Sequence, residues 1–120
     1  NGGLVAPCYR RYPYSKTMDR TMANFIVTFE FKSDDTRKAR YDSFVKKINE
    51  LTAHRHWDET TSFYCFELDT TADSLCSTLY IGSDFNATKD MMVVIDISNR
   101  QKATKGPLAW PTVLESYLGF

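Results

Sequence analysis

The sequence predicts an α+β fold: a ferredoxin-like βαββαβ order, with two helices on one face of an antiparallel sheet. Two observations carry that prediction. Residues 24–31, 61–68 and 91–98 alternate their side chains with the period of two that a strand requires. Between them, residues 36–51 and 72–81 place apolar side chains at i, i+3, i+4 and i+7, the stripe of an amphipathic helix. At 120 residues the chain has the length of one domain, and it holds no run of 18 apolar residues, so a membrane-spanning helix is not expected.

The first strand sets Phe25, Val27, Phe29 and Phe31 on one face and Asn24, Ile26, Thr28 and Glu30 on the other. Ser33, Asp34 and Asp35 follow as candidate caps. The helix from Thr36 to Leu51 turns Tyr41, Phe44, Val45 and Ile48 inward and leaves Arg37, Lys38, Arg40, Lys46 and Lys47 on its polar surface. Residues 54–58 predict a short second strand, turned at Glu59 and Thr60. In the third strand Tyr64, Phe66 and Leu68 oppose Phe63, Cys65 and Glu67. Thr70 or Thr71 caps the second helix, Gly82 stops it, and residues 83–90 read as a polar loop. The last strand sets Met91, Val93, Ile95 and Ile97 on one face. Met92 and Val94, beside Asp96, fall on the face that the helices leave bare.

Residues 1–22 read as a basic, Tyr-rich extension, residues 23–98 as the ferredoxin-like domain, and residues 99–120 as a linker with an apolar segment. Lys and Arg balance Asp and Glu at 15 each, which excludes a global polycation. The balance is uneven, however. Residues 1–22 hold four cations and one anion, leaving eleven cations against fourteen anions in the rest. The extension suits a phosphate backbone or a partner, and equally a leader or cloning remnant. Cys8, Cys65 and Cys76 form no C-x-x-C pair, so free thiols in a reducing cytoplasmic setting are expected. No phosphate-binding glycine loop, nucleophile elbow or H-E-x-x-H stands in the chain. His54, His56 and Asp58 share one face of the predicted second strand, a series suited to proton transfer or a metal but ordinarily a solvated edge.

Two stretches carry a resemblance. Val27-Thr28-Phe29-Glu30-Phe31-Lys32-Ser33-Asp34-Asp35-Thr36-Arg37-Lys38-Ala39-Arg40 is a strand ending aromatic–acid–apolar, then an acidic turn and a basic helix start. Trp57 to Leu68 is a hairpin between a second and a third strand. Together they resemble the CRISPR-associated protein 2 family and its small SinR-like relatives, over about residues 23–98. The resemblance implies a homodimer that binds DNA or RNA, with weak divalent-metal-dependent nuclease activity and Mg²⁺ as its cofactor. It points to Glu30 as the catalytic and metal-binding position, where the family has Asp. Arg37, Lys38, Arg40, Lys46 and Lys47 are the candidate nucleic-acid contacts.

A sheet covered on one side leaves its second face bare, and here that face is partly apolar. The tail adds Trp110, Leu114, Tyr117 and Leu118. Self-association through the open face, through these residues, or both is expected; the other reading folds the tail back over its own sheet. The alternative functions are a non-catalytic protein-interaction module of phage or mobile-element type and a small-ligand-binding regulatory domain.

Overall fold

The computed structural model describes residues 22–120. The Tyr-rich arm and Cys8 lie outside the described residues. Among the described residues the fold is α+β, with four antiparallel strands and three helices. In chain order these are β1 (Ala23–Glu30), α1 (Arg37–Thr52), β2 (Phe63–Leu68), α2 (Ala72–Ile81), β3 (Met91–Asp96), β4 (Gln101–Lys105) and α3 (Pro111–Leu118). The sheet order is β2-β1-β3-β4. No described helix is long and apolar enough to cross a membrane.

The phenylalanine face of β1 makes the core. Phe25, Val27 and Phe29 are buried in the middle of the sheet, and Phe31 just beyond it. They meet Phe44 and Ile48 of α1, Tyr64 and Phe66 of β2, Leu75, Cys76 and Leu79 of α2, and Phe85. The rings of Phe29, Phe31, Phe44 and Phe85 form a chain of tilted and edge-on contacts at centroid distances of 4.7–5.8 Å. Thr71 caps α2 by accepting the Ser74 N–H at 3.2 Å, as the sequence suggests.

Four expectations need correction. The strand at 54–58 shrinks to one bridge, Trp57 to Cys65, because Ala53 and His54 both take left-handed backbone (φ 52° and 63°) and turn the chain before it can extend. The 83–90 loop is not simply polar, since Phe85 and Asp90 are buried. Residues 101–105 form β4 rather than part of a tail, closed onto β3 by a turn in which Asp96 accepts the Asn99 N–H at 2.9 Å. The faces of β3 are also reversed. Register pairs Val27 with Val94 and Phe29 with Met92, so Met92, Val94 and Asp96 point under the helices. Met91, Val93 and Ile95 lie on the open face instead, half-buried.

Candidate functional site

The five cations predicted on α1 do not form one surface. Arg40 is only 5% exposed, and its guanidinium is fully engaged. Its Nε and Nη2 donate to the Asp90 carboxylate at 2.9 and 3.0 Å, and Nη1 donates to Asp34 Oδ1 at 2.8 Å. Nη2 also donates to the Lys32 carbonyl at 2.9 Å. A guanidinium with every edge paired inside the fold is a structural anchor, not a phosphate contact. Lys38 pairs with Asp42 at 2.7 Å, and Lys47 lies 3.8 Å from Glu50. Arg37 donates to the Phe31 carbonyl and stacks over Tyr41. Lys46 alone of the five has neither an ion pair nor a hydrogen bond among the described residues.

Asp90, the partner of Arg40, has no exposed surface. Beyond Arg40 it accepts the backbone N–H of Lys32 and of Asn86, each at 3.0 Å. Burial alone pushes its pKa up, yet the bonds from Arg40, Asn86 and Lys32 outweigh that and hold it below the usual carboxylate value. Asp34 is held well below its usual range by Arg40 first and then by Lys89, whose Nζ lies 3.0 Å away. The same contacts raise Arg40 above the ordinary guanidinium value. This knot ties the β1–α1 turn, α1 and the 86–90 loop together.

Asp90 and Lys89 escaped the sequence reading. An acid just before an apolar strand was in plain sight, but its partner is fifty residues away and no local pattern joins them.

Glu30 ends β1 on the open face, exposed, opposite Met91. Among the described residues no group of three or more His, Cys, Asp or Glu could hold a metal ion. Glu30 thus belongs to no such group among the described residues, and a hard cation such as Mg²⁺ needs further oxygen ligands around it. The His54–His56–Asp58 series is broken as well. His54 sits in the left-handed turn, exposed, while His56 is tucked against α1 with Nε2 2.7 Å from Asn49 Oδ1.

The open face of the sheet is partly apolar. Ile26, Thr28, Phe63, Cys65, Met91, Val93 and Ile95 lie along it, all half-buried. Lys102 shares this face through its pairing with Ile95, and its Nζ reaches Glu115 at 3.2 Å and the Phe120 carbonyl at 3.0 Å. Arg100 donates to the Gly119 carbonyl and stacks on Phe120. These bonds tether α3 to this side of the sheet. Leu114 and Leu118 turn inward and are half-buried. Trp110 and Tyr117 stay 74% and 87% exposed, with Val113 between them. The predicted interface residues thus split into two sets, one used within the chain and one facing water.

A groove of about 490 Å³ runs between α1 and the start of β2, lined by Tyr41, Val45, Lys46, Asn49, His54 and Tyr64 among others. Cys65 and Cys76 are free thiols, both shifted up by burial, which leaves them poor nucleophiles. Comparison with protein-family models, with curated proteins and with solved structures gives no significant match.

Proposed function

We propose that the chain is a ferredoxin-like binding module that pairs with a second copy of itself through the open face of its sheet. The observation that carries this reading is the half-buried apolar strip of Met91, Val93 and Ile95 along β3, with Ile26 beside Ile95 and with Thr28 between it and the Phe63–Trp57 pair. A two-fold interface must be complementary to itself, and the apolar strip is, with the charged Glu30 and Lys102 at its two ends. The exposed Trp110, just before α3, and Val113 and Tyr117 on it extend the strip on the tethered side. The ferredoxin-like assignment rests on the sheet order. If the Trp57 bridge is the remnant of a second strand outside β2, and β4 is an added edge strand, the remaining order is that of a βαββαβ sheet.

A second reading keeps the nucleic-acid activity that the family resemblance implies. One observation favours it: Glu30 is exposed on the same face that the pairing would use. Pairing through that face would give the assembly two such carboxylates. Against it stand the burial of Arg40 and the net negative charge of residues 23–120.

The test is the mass by sedimentation equilibrium, for the natural chain and for Val93→Glu. A dimer that Val93→Glu converts to a folded monomer supports the pairing, and a natural chain that stays monomeric at high concentration ends it. Fluorescence anisotropy with short DNA and RNA at low salt decides the second reading. Binding that weakens steeply with salt sustains it, and no binding at low salt retires it.

A further inference from the structure

His56 holds the one described side-chain polar atom that is buried with no hydrogen-bond partner, its Nδ1. The ring is wedged between α1 and β2. Nε2 lies 2.7 Å from Asn49 Oδ1, an acceptor, so Nε2 carries the proton when the ring is neutral. The ring stands edge-on to Tyr64 with centroids 4.9 Å apart. Nδ1 then presents a bare lone pair to the interior, a costly state for a buried polar atom. The nearest charge is the Asp58 carboxylate, with Oδ2 3.9 Å from Nδ1. Asp58 is half exposed and free to swing, but an acceptor cannot serve another acceptor.

We infer that His56 and Asp58 form a proton-operated latch that closes the segment between α1 and β2 onto the edge of the sheet. A proton on Nδ1 turns the orphan into a donor that the Asp58 carboxylate, 3.9 Å away, can swing in to accept, and the bond from Nε2 to Asn49 is kept because both ring nitrogens of a charged imidazole donate. No covalent bond changes; the proton comes from solvent and returns to it. α1 presents Asn49, which is uncharged, and carries Asp42, Lys46 and Glu50 along the groove that Asn49 and Tyr64 line. β2 presents Tyr64, whose hydroxyl burial and Asp58 push up, so that it stays neutral near neutral pH. The segment itself presents Asp58.

The latch matters for what lies beside it. One residue on, Trp57 makes the two backbone bonds that cover the β2 edge, donating to the Cys65 carbonyl at 2.8 Å and accepting the Cys65 N–H at 2.9 Å. An uncovered edge is a template for another strand. The same segment supplies His54 to the groove wall, and Asn49 and Tyr64 line that groove too. A proton on Nδ1 tightens this cover, and loss of the proton loosens it.

The experiment is NMR on the full chain. Hydrogen exchange at the Cys65 amide, corrected for the intrinsic pH dependence, is followed from pH 5.5 to 7.5 in the natural chain and in Asp58→Asn. The expected result is protection that falls roughly two- to fivefold as pH rises in the natural chain and stays flat in Asp58→Asn. Equal pH dependence in the two chains overturns the latch. The ¹⁵N shifts of His56 in the unmodified protein supply a test that needs no variant. A neutral ring protonated on Nε2 at pH 7.5 agrees with the latch, and one protonated on Nδ1 overturns it.

Discussion

The two ends of α1 are fastened to the sheet by opposite means. At the N-terminal end Arg40 enters a knot in which the Asp90 carboxylate accepts two guanidinium bonds and two backbone N–H groups. At the C-terminal end, beyond the apolar packing of Ile48 and Leu51, the polar side-chain tie is the bond between Asn49 and His56, and the far nitrogen of that ring is left bare. Both ties use polar groups drawn from water. The first satisfies every one of them and so gives a rigid, permanent join. The second leaves one lone pair unmet, which makes its strength conditional on a proton. A polar contact inside a small domain is therefore defined less by its presence than by whether its last atom has a partner.

The sharpest way to break the comparison is Asp90→Ala. It leaves the buried Arg40 guanidinium with Asp34 as its remaining carboxylate partner and strands two backbone donors, and a loss of about 3 kcal/mol is expected. Urea unfolding measures it, and a loss below about 1 kcal/mol would mean the knot relaxes to water far more easily than its burial implies. Acid gives the next effect. The pKa values of Asp34 and Asp90 are depressed in the folded chain, so their contribution is complete above the free carboxylate value of about 4 and drains away as pH falls below it. The gap in urea midpoint between the natural chain and Asp34→Asn should therefore close between about pH 4 and lower values. A gap that holds constant there would show that Asp34 contributes nothing through its charge. The smallest effect belongs to the other end. Asn49→Ala removes the one tie of His56 and should cost about 1 kcal/mol. Equal losses for Asn49→Ala and Asp90→Ala would erase the difference between the ends.

The alternation in β1 was enough to identify the core, because a period of two with four aromatic or branched side chains on one face leaves one way to bury them. The helices were legible for the same reason, and Thr71 announced the start of α2 through its side-chain chemistry. The candidate site was legible only in part. Trp110 and Tyr117 are exposed at the start and near the end of α3, where an apolar tail with nothing to cover it is conspicuous in sequence. Arg40 was indistinguishable from Lys38 two positions before it, since both fall on polar positions of an amphipathic repeat. Only the approach of the 86–90 loop buries one and leaves the other in water.

By itself, then, the sequence determined the α+β class, the helix-covered face of β1 and the identity of most core residues. Each of these follows from local periodicity, which any one segment expresses without its neighbours. Tertiary structure decided the rest. It chose which face of β3 meets the helices, because a strand apolar on both faces takes its orientation from the register with β1. It reduced a predicted strand to the Trp57 bridge, built β4 from what reads as a tail, and brought Asp90 to Arg40 across fifty residues. These outcomes depend on groups far apart in the chain that must satisfy one another's hydrogen bonds at the same time, and no window of sequence holds both halves of that requirement.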